Sequence, residues 1–223
     1  MDSFPSFINE NKKIALVDGD NSHSYSEINL RINRFATGLL NGETDLEEER
    51  IAFFIPASLD YVTTMHGIWR AGGIAVPLNV ASAITELDHY LTCASVTRMV
   101  ANDEHQESLR ELCDTLNIQL VSVEDILADE ASKLPGILPE RRAMILFTSG
   151  TTNKPKGVVS THKTISAQIT TLIKAWAWKE DDIIPLFLPL HHIHGIINIL
   201  CCGLWAGATV HMFAKFDIPR ISN

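Results

Sequence analysis

Cysteine is scarce in this chain of 223 residues, and its placement excludes two familiar frameworks. Cys93, Cys113, Cys201 and Cys202 include no pair at metal-finger spacing and do not resemble the disulfide scaffold of a secreted domain. Twelve glycines and nine prolines are too few for a fibrous or low-complexity chain, and no fixed-period repeat or long biased tract occurs. A secretory signal is also missing: MDSFPSFINENKK has no apolar run after a positive start. The same segment lacks the basic character of a matrix-targeting peptide. The longest apolar-looking stretch, IINILCCGLWAGATV (196–210), is broken by Asn198 and is short for a membrane span. These absences make the cytoplasm the expected location, with an organelle matrix as the alternative and no membrane span.

Positive charge is thin in the first part of the chain. Residues 1–140 carry 9 Lys and Arg against 23 Asp and Glu, a net −14, whereas residues 141–223 carry 9 against 4, a net +5. The acidic part argues against wrapping nucleic acid. The basic part has no dense Arg/Lys block interleaved with aromatics, so no nucleic-acid partner is expected. A small anionic ligand in the second part fits the balance better. With 46% hydrophobic and 20% charged residues, the chain can bury a sizeable core in one large domain or two small ones.

What is present is a regular alternation of short β-like runs and longer helical patterns. KIALV (13–17) precedes a turn at Asp18–Gly19–Asp20. A helix then follows over about 26–40, with Ile28, Ile32, Phe35, Ala36, Leu39 and Leu40 at three- and four-residue spacing. RIAFFI (50–55) is dense enough for a strand covered on both faces. Ser58 suits the N-cap of a helix through Trp69, and IAVPL (74–78) follows. A helix from Ser82–Thr85 to about Leu91, TRMVA (97–101), a helix near 105–116 and IQLVSV (118–123) form the next unit. The segment DEASKLPGILPE (129–140) is the best internal boundary, dividing a first portion, 1–140, from a second, 141–223. In the second, AMILF (143–147) and GVVS (157–160) read as strands and 163–178 as a helix capped by Thr161. IIPLFLPL (183–190) is a buried-strand candidate whose prolines blur its limits, followed by a helix near 195–205 and a strand ATVHMF (208–213). The pattern predicts a layered α/β fold with mostly parallel sheets flanked by helices.

Between AMILF and GVVS lies LFTSGTTNKPKG (146–157). Thr148, Ser149, Thr151 and Thr152 supply hydroxyl donors, and Gly150 lets backbone amides approach a ligand closely. Successive amides can cup an anion, and Lys154 or Lys156 can add a point charge. The residue types fit a polyphosphate clamp after a buried strand, where α/β folds place ligand loops. They also fit an ordinary polar turn. The pattern is not G-x-x-x-x-G-K-[ST], because Gly157 is followed by Val158 and the lysine precedes the glycine.

The run LFTSGTTNKPKGV also resembles the phosphate loop of the adenylate-forming superfamily, which includes acyl-CoA synthetases, peptide-synthetase adenylation domains and luciferases. Relatives usually carry glycine where this chain has Asn153, a residue that tolerates left-handed backbone better than most. YSEINLRINRFATGLL (25–40), WRAGGIAVPLNV (69–80) and FLPLHHIHGI (187–196) resemble further family segments in the expected order. The His-His-Ile-His-Gly wording leans toward malonyl-CoA synthetases and related acyl-CoA synthetases. The resemblance implies ATP and CoA as co-substrates, magnesium with the nucleotide, and a small carboxylic acid such as malonate or a fatty acid. It implies that Thr148, Ser149, Gly150, Thr151, Thr152 and Lys156 surround the β- and γ-phosphates of ATP. Carboxylate attack on the α-phosphorus would give an acyl-adenylate and pyrophosphate, and CoA thiolate would then displace AMP. Lys156 and His192 are the implied catalytic residues, with His192 a polar wall that orients the carboxylate.

Several other residues invite simpler readings. His191 and His194 could serve a dicarboxylate or simply pack and cap. Three histidines in four positions suggest zinc, but no cysteine or carboxylate is spaced to complete a site, and no metal ligand is assigned. Cys201–Cys202 in an apolar helical pattern reads as two small buried hydrophobes. His66 and Trp69 read as packing residues, at least one of Trp176 and Trp178 as core, and His162 as the start of a helix.

The resemblance sets an expectation about extent as well. The 223 residues hold no counterpart of the later tyrosine–glycine–threonine–glutamate stretch, the ribose-binding aspartate, the hinge or the small C-terminal domain. The expectation is therefore an incomplete N-terminal domain of an adenylate-forming ligase, inactive alone. The alternatives are half of a split synthetase completed by another chain, or a non-catalytic nucleotide-binding remnant.

Overall fold

A computed structural model describes residues 4–5, 11–148 and 154–213. Its elements run β1 (Ile14–Asp18), β2 (Asn21–Ser24), α1 (Tyr25–Leu40), β3 (Arg50–Phe54), α2 (Leu59–Arg70), β4 (Ile74–Pro77) and α3 (Ile84–Ala94). They continue with β5 (Arg98–Ala101), α4 (Asp103–Leu116), β6 (Gln119–Val121), α5 (Val123–Ile126), β7 (Arg142–Thr148), β8 (Lys156–Thr161) and α6 (His162–Trp176). Last come β9 (Ile183–Leu186), a π-helical segment (His194–Cys201), α7 (Cys202–Ala206) and β10 (Thr209–Met212).

Local chemistry explains most of these boundaries. The Ser24 hydroxyl accepts from the Glu27 amide, and the Glu27 carboxylate accepts from the Ser24 amide at 2.7 Å, closing a capping box at the start of α1. Asn41 ends that helix in the left-handed region. The stripe Ile28, Ile32, Phe35, Ala36, Leu39 and Leu40 is buried as its spacing predicts. Ser58 caps α2, also as expected. This helix is buried almost all round because it lies between α1 and the sheet. A Cβ on Gly67 would come within 2.4 Å of the Phe35 ring, so glycine is what allows the two helices to approach.

Six strands form one sheet in the order β6–β5–β3–β4–β7–β8, and four form another in the order β2–β1–β10–β9. All pairings are parallel except β1–β2 and β7–β8. The layered, mostly parallel α/β fold expected from the alternation is therefore present. Ile51, Ala52, Phe53 and Phe54 of β3 are buried on both faces of the larger sheet, which is what its unbroken apolar run requires. One core joins this sheet through α1, α2, α6 and the π-helical segment to Leu16 and Val210 of the smaller sheet. A second core lies between its outer face and α3 and α4, through Leu87, Leu91, Leu109 and Cys113.

The division at 140/141 falls in the coil before β7, and each sheet takes strands from both sides of it. Arg141 crosses that point with a two-pronged ion pair to Asp45 at 2.6 and 2.8 Å, and it donates to the Gly72 carbonyl at 2.6 Å.

Three details differ from the periodicity. The turn at Asp18–Gly19–Asp20 leads into β2, an edge strand of sequence NSHS that offers no apolar alternation to read. The run 183–190 is a strand only to Leu186, since Pro189 starts a turn in which its carbonyl accepts from the His192 amide at 3.4 Å. The helix near 195–205 begins as a π-helix before becoming α-helical at Cys202.

Candidate functional site

Beyond the carboxyl ends of β4 and β7 the chain leaves a cleft of about 310 Å³. Crevices of open parallel sheets occur at such strand ends, because the loops there are free to diverge. Pro77, Leu78 and Asn79 form one wall as the chain leaves β4, and Ser82, Glu86 and Tyr90 continue it into α3. Phe147 and Thr148 at the end of β7, Pro155 just before β8, and His191 and His192 complete the lining. Thr148 and His192, 44 positions apart in sequence, thus meet in one cavity. None of Asn79, Ser82, Glu86 and Tyr90 was read as a site residue from the sequence, although Ser82 was read as a helix start and Asn79 lies in the family-like segment 69–80. Their signal was position, directly after a buried strand.

Thr148 and Lys156 are Cα partners across the antiparallel β7–β8 pair, so the hydroxyl-rich segment is the connection of a hairpin. Both side chains are exposed at its mouth, although Lys156 is not among the residues that line the cleft. Ser149, Gly150, Thr151 and Thr152 lie outside the described residues. The connection does not run into a helix. β8 intervenes, and α6 starts at the far end of that strand, where the Thr161 hydroxyl caps the Thr164 amide. A helix dipole therefore cannot serve an anion here as it does in nucleotide loops that open a helix.

The histidine turn is held from below. The Tyr61 hydroxyl of α2 donates to the Leu190 carbonyl at 2.7 Å, fixing the backbone just before His191. The His191 and His192 rings lie 4.1 Å apart. Burial, and then the adjacent His192, push the His191 imidazole below its ordinary range. At neutral pH His191 is thus an uncharged polar wall, while His192 is exposed to the cleft. His194 is not among the lining residues. Its Nδ1 lies 3.1 Å from Asn198 Nδ2, and Asn198 Oδ1 accepts from Gln168 Nε2 at 2.6 Å. A second cleft of about 300 Å³ adjoins the first, sharing Leu78, Asn79 and His191 with it. Its other walls are mainly apolar and include Ile55, Val80, Phe187 and Phe213.

Among the described residues, no group of three or more His, Cys, Asp or Glu is placed to hold a metal ion. No helix among them is long and apolar enough to cross a membrane. Cys201 and Cys202 are fully buried, as two small hydrophobes would be. Burial drives the Cys202 thiol up to about 12, and burial together with Cys202 raises Cys201 well above its usual value. Neither can supply a thiolate. His66 and Trp69 pack in the core, and the indole donates to the Ala143 carbonyl at 2.8 Å. Trp178 packs against the same core, whereas Trp176 is exposed.

Known proteins resemble this chain in sequence or in fold. The mitochondrial malonate–CoA ligase of Homo sapiens is 36% identical over 222 residues, covering 94% of this chain and 38% of the ligase. The malonate–CoA ligase of Arabidopsis thaliana is 28% identical, over 98% of this chain and 40% of its own length. Apo MatB from Rhodopseudomonas palustris superposes with a TM-score of 0.89 at 24% identity, covering 99% of this chain and 46% of MatB. The ATP-bound form of MatB gives 0.86 at 25% identity, over 94% and 44%. The chain therefore spans less than half the length of each of these relatives. The model of the AMP-binding enzymes matches residues 8–222, and this chain belongs to that family.

Proposed function

We propose that these residues supply the phosphate-loop region of an ATP-dependent acid–CoA ligase, with malonate as the leading acid. The observation that carries the reading is the joining of Thr148 and His192 in one cleft at the ends of β4 and β7. Thr148, Ser149, Gly150, Thr151, Thr152 and Lys156 would hold the terminal phosphates of ATP, and His192 would orient the carboxylate beside them. The ATP-bound state of MatB, at 25% identity, supports the nucleotide, and the malonate–CoA ligases support the acid.

In this scheme the first step is attack of the substrate carboxylate on the α-phosphorus, releasing pyrophosphate. CoA thiolate then displaces AMP to give the thioester. Alignment and charge stabilisation carry most of such a reaction, and hydroxyls, amides and a lysine suit that task. Magnesium, when bound with the nucleotide, neutralises phosphate charge, and no ligand for it is assigned within this chain. His191, shared by both clefts, would offer the acid a polar wall. Calorimetric titration of the chain with Mg·ATP tests the reading. Lys156→Ala is expected to weaken binding about tenfold, the size of a charge-assisted contact. Absence of Mg·ATP binding by the chain, or equal affinity in the variant, would count against it.

A further inference from the structure

The helix α3 touches both limbs of the β7–β8 hairpin just where the hydroxyl-rich connection leaves and returns. His89 Nε2 lies 2.9 Å from the Pro155 carbonyl oxygen, an N–H to O=C bond on the returning limb. The next residue, Tyr90, stacks on Phe147 of the departing limb, with ring centroids 4.4 Å apart and planes 30° from parallel. His89 also approaches the Phe147 ring edge-on at 6.4 Å. Burial, then the nearby Glu86 carboxylate, hold the Tyr90 phenol above its ordinary range, so the stacked ring is neutral. Phe147, Thr148, Pro155 and Tyr90 all line the cleft, and α3 itself is anchored to the sheet through Leu87 and Leu91.

Sequence alone gave His89 and Tyr90 no role beyond one turn of a helix. The two contacts fall one residue to either side of the closing pair, on Phe147 just inside it and on Pro155 just outside it, rather than on the strand middles. The β7–β8 ladder ends, next to the connection, at this pair, Thr148 and Lys156. The Pro155 carbonyl sits just beyond the closing pair, and Pro155 has no amide of its own to bond back across the hairpin. An external donor on this carbonyl fixes the returning limb, while the Tyr90 ring fixes the departing one.

We propose that His89 is a positioning residue for the phosphate-binding hairpin, holding its returning limb at the spacing a polyphosphate requires, with Tyr90 as its counterpart on the departing limb. The inference rests on the functional reading above for its ligand, but the restraint itself can be measured without one. His89 touches neither nucleotide nor acid in this scheme and acts through Pro155.

The test uses the whole chain and compares wild type with His89→Leu, which keeps bulk and removes the donor, and His89→Gln, which restores an N–H donor. Amide hydrogen exchange is read at Lys156, Gly157 and Val158, with β3 and β5 as internal controls, and Mg·ATP affinity is read by calorimetry. His89→Leu should speed exchange at the three amides severalfold, leave β3 and β5 unchanged and weaken Mg·ATP about fivefold, the scale of one neutral hydrogen bond. His89→Gln should return both readouts toward wild type. Unchanged exchange in His89→Leu would overturn the proposal, as would acceleration spread equally over β3 and β5 or failure of His89→Gln to restore. Should the wild type bind no Mg·ATP, the functional reading fails and the exchange arm still decides the role of His89.

Discussion

Two buried histidines make the stability of this protein depend on pH. Burial lowers His66 from 6.5 to about 3 and His162 to about 4, with the cations Arg70 and Arg141 respectively adding to the effect. Both groups therefore stay neutral when folded, at pH values where the unfolded chain would protonate them. Their contribution is fully present above the unfolded value of 6.5 and is lost as pH falls toward the folded values. Each group costs about 1.4 kcal/mol per pH unit within that window. Thermal melts are expected to show Tm falling from pH 6.5 to pH 4, and His162→Gln should make the decline shallower. An identical slope in the variant would remove His162 from the account. Neither residue belongs to the cleft, so this dependence is a property of the core.

At the scale of elements, the site depends on helices that hold strands and loops from behind. α2 does so twice, through Tyr61 on the Leu190 carbonyl and through its close fit against α1 at Gly67. Gly67→Ala would drive a methyl to 2.4 Å from the Phe35 ring, and a shift of α2 would carry Tyr61 with it. Overpacking of this kind costs about 1–3 kcal/mol. Denaturant unfolding is expected to show that loss, and a variant as stable as wild type would mean that Phe35 can swing aside freely. α3 has the equivalent duty for the hairpin. The apolar stripe of α1 was legible as three- and four-residue spacing, and α2 was legible by its cap at Ser58. The side chains that reach sideways to a distant carbonyl were not, because a single polar residue on a helix carries no period.

On the scale of the whole molecule, two sheets share one core, and the cleft forms where strands of the larger sheet end beneath a turn that follows the smaller one. β1 and β2, early in the sequence, complete the sheet of β9 and β10, while β7 and β8 complete the sheet of β3 to β6. The chain spans 38% of the human malonate–CoA ligase, and the described residues hold the hairpin mouth and the histidine turn without a group able to bind a metal. Under the reading proposed above, a purified polypeptide of these 223 residues is expected to bind Mg·ATP, and carboxylate-dependent ATP–pyrophosphate exchange measures whether it also adenylates malonate. Robust exchange with malonate would show that these residues suffice for adenylation.

The sequence by itself determined the alternation of strands and helices, the caps at Ser58 and Thr161, the family carried by LFTSGTTNKPKGV, and the burial of Cys201 and Cys202. These are local patterns, set by periodicity, capping chemistry and an ordered run of residue types. Only the tertiary structure decided that β2 exists, since a polar edge strand is defined by its pairing with β1. It also decided that Pro189 turns the chain toward His191 and His192, and that Thr148 and His192 face the same cavity. The contact of His89 with Pro155 belongs to the same class. Each of these depends on residues brought together by sheet order and helix packing, and a linear pattern of apolar and polar residues does not encode which distant groups will meet.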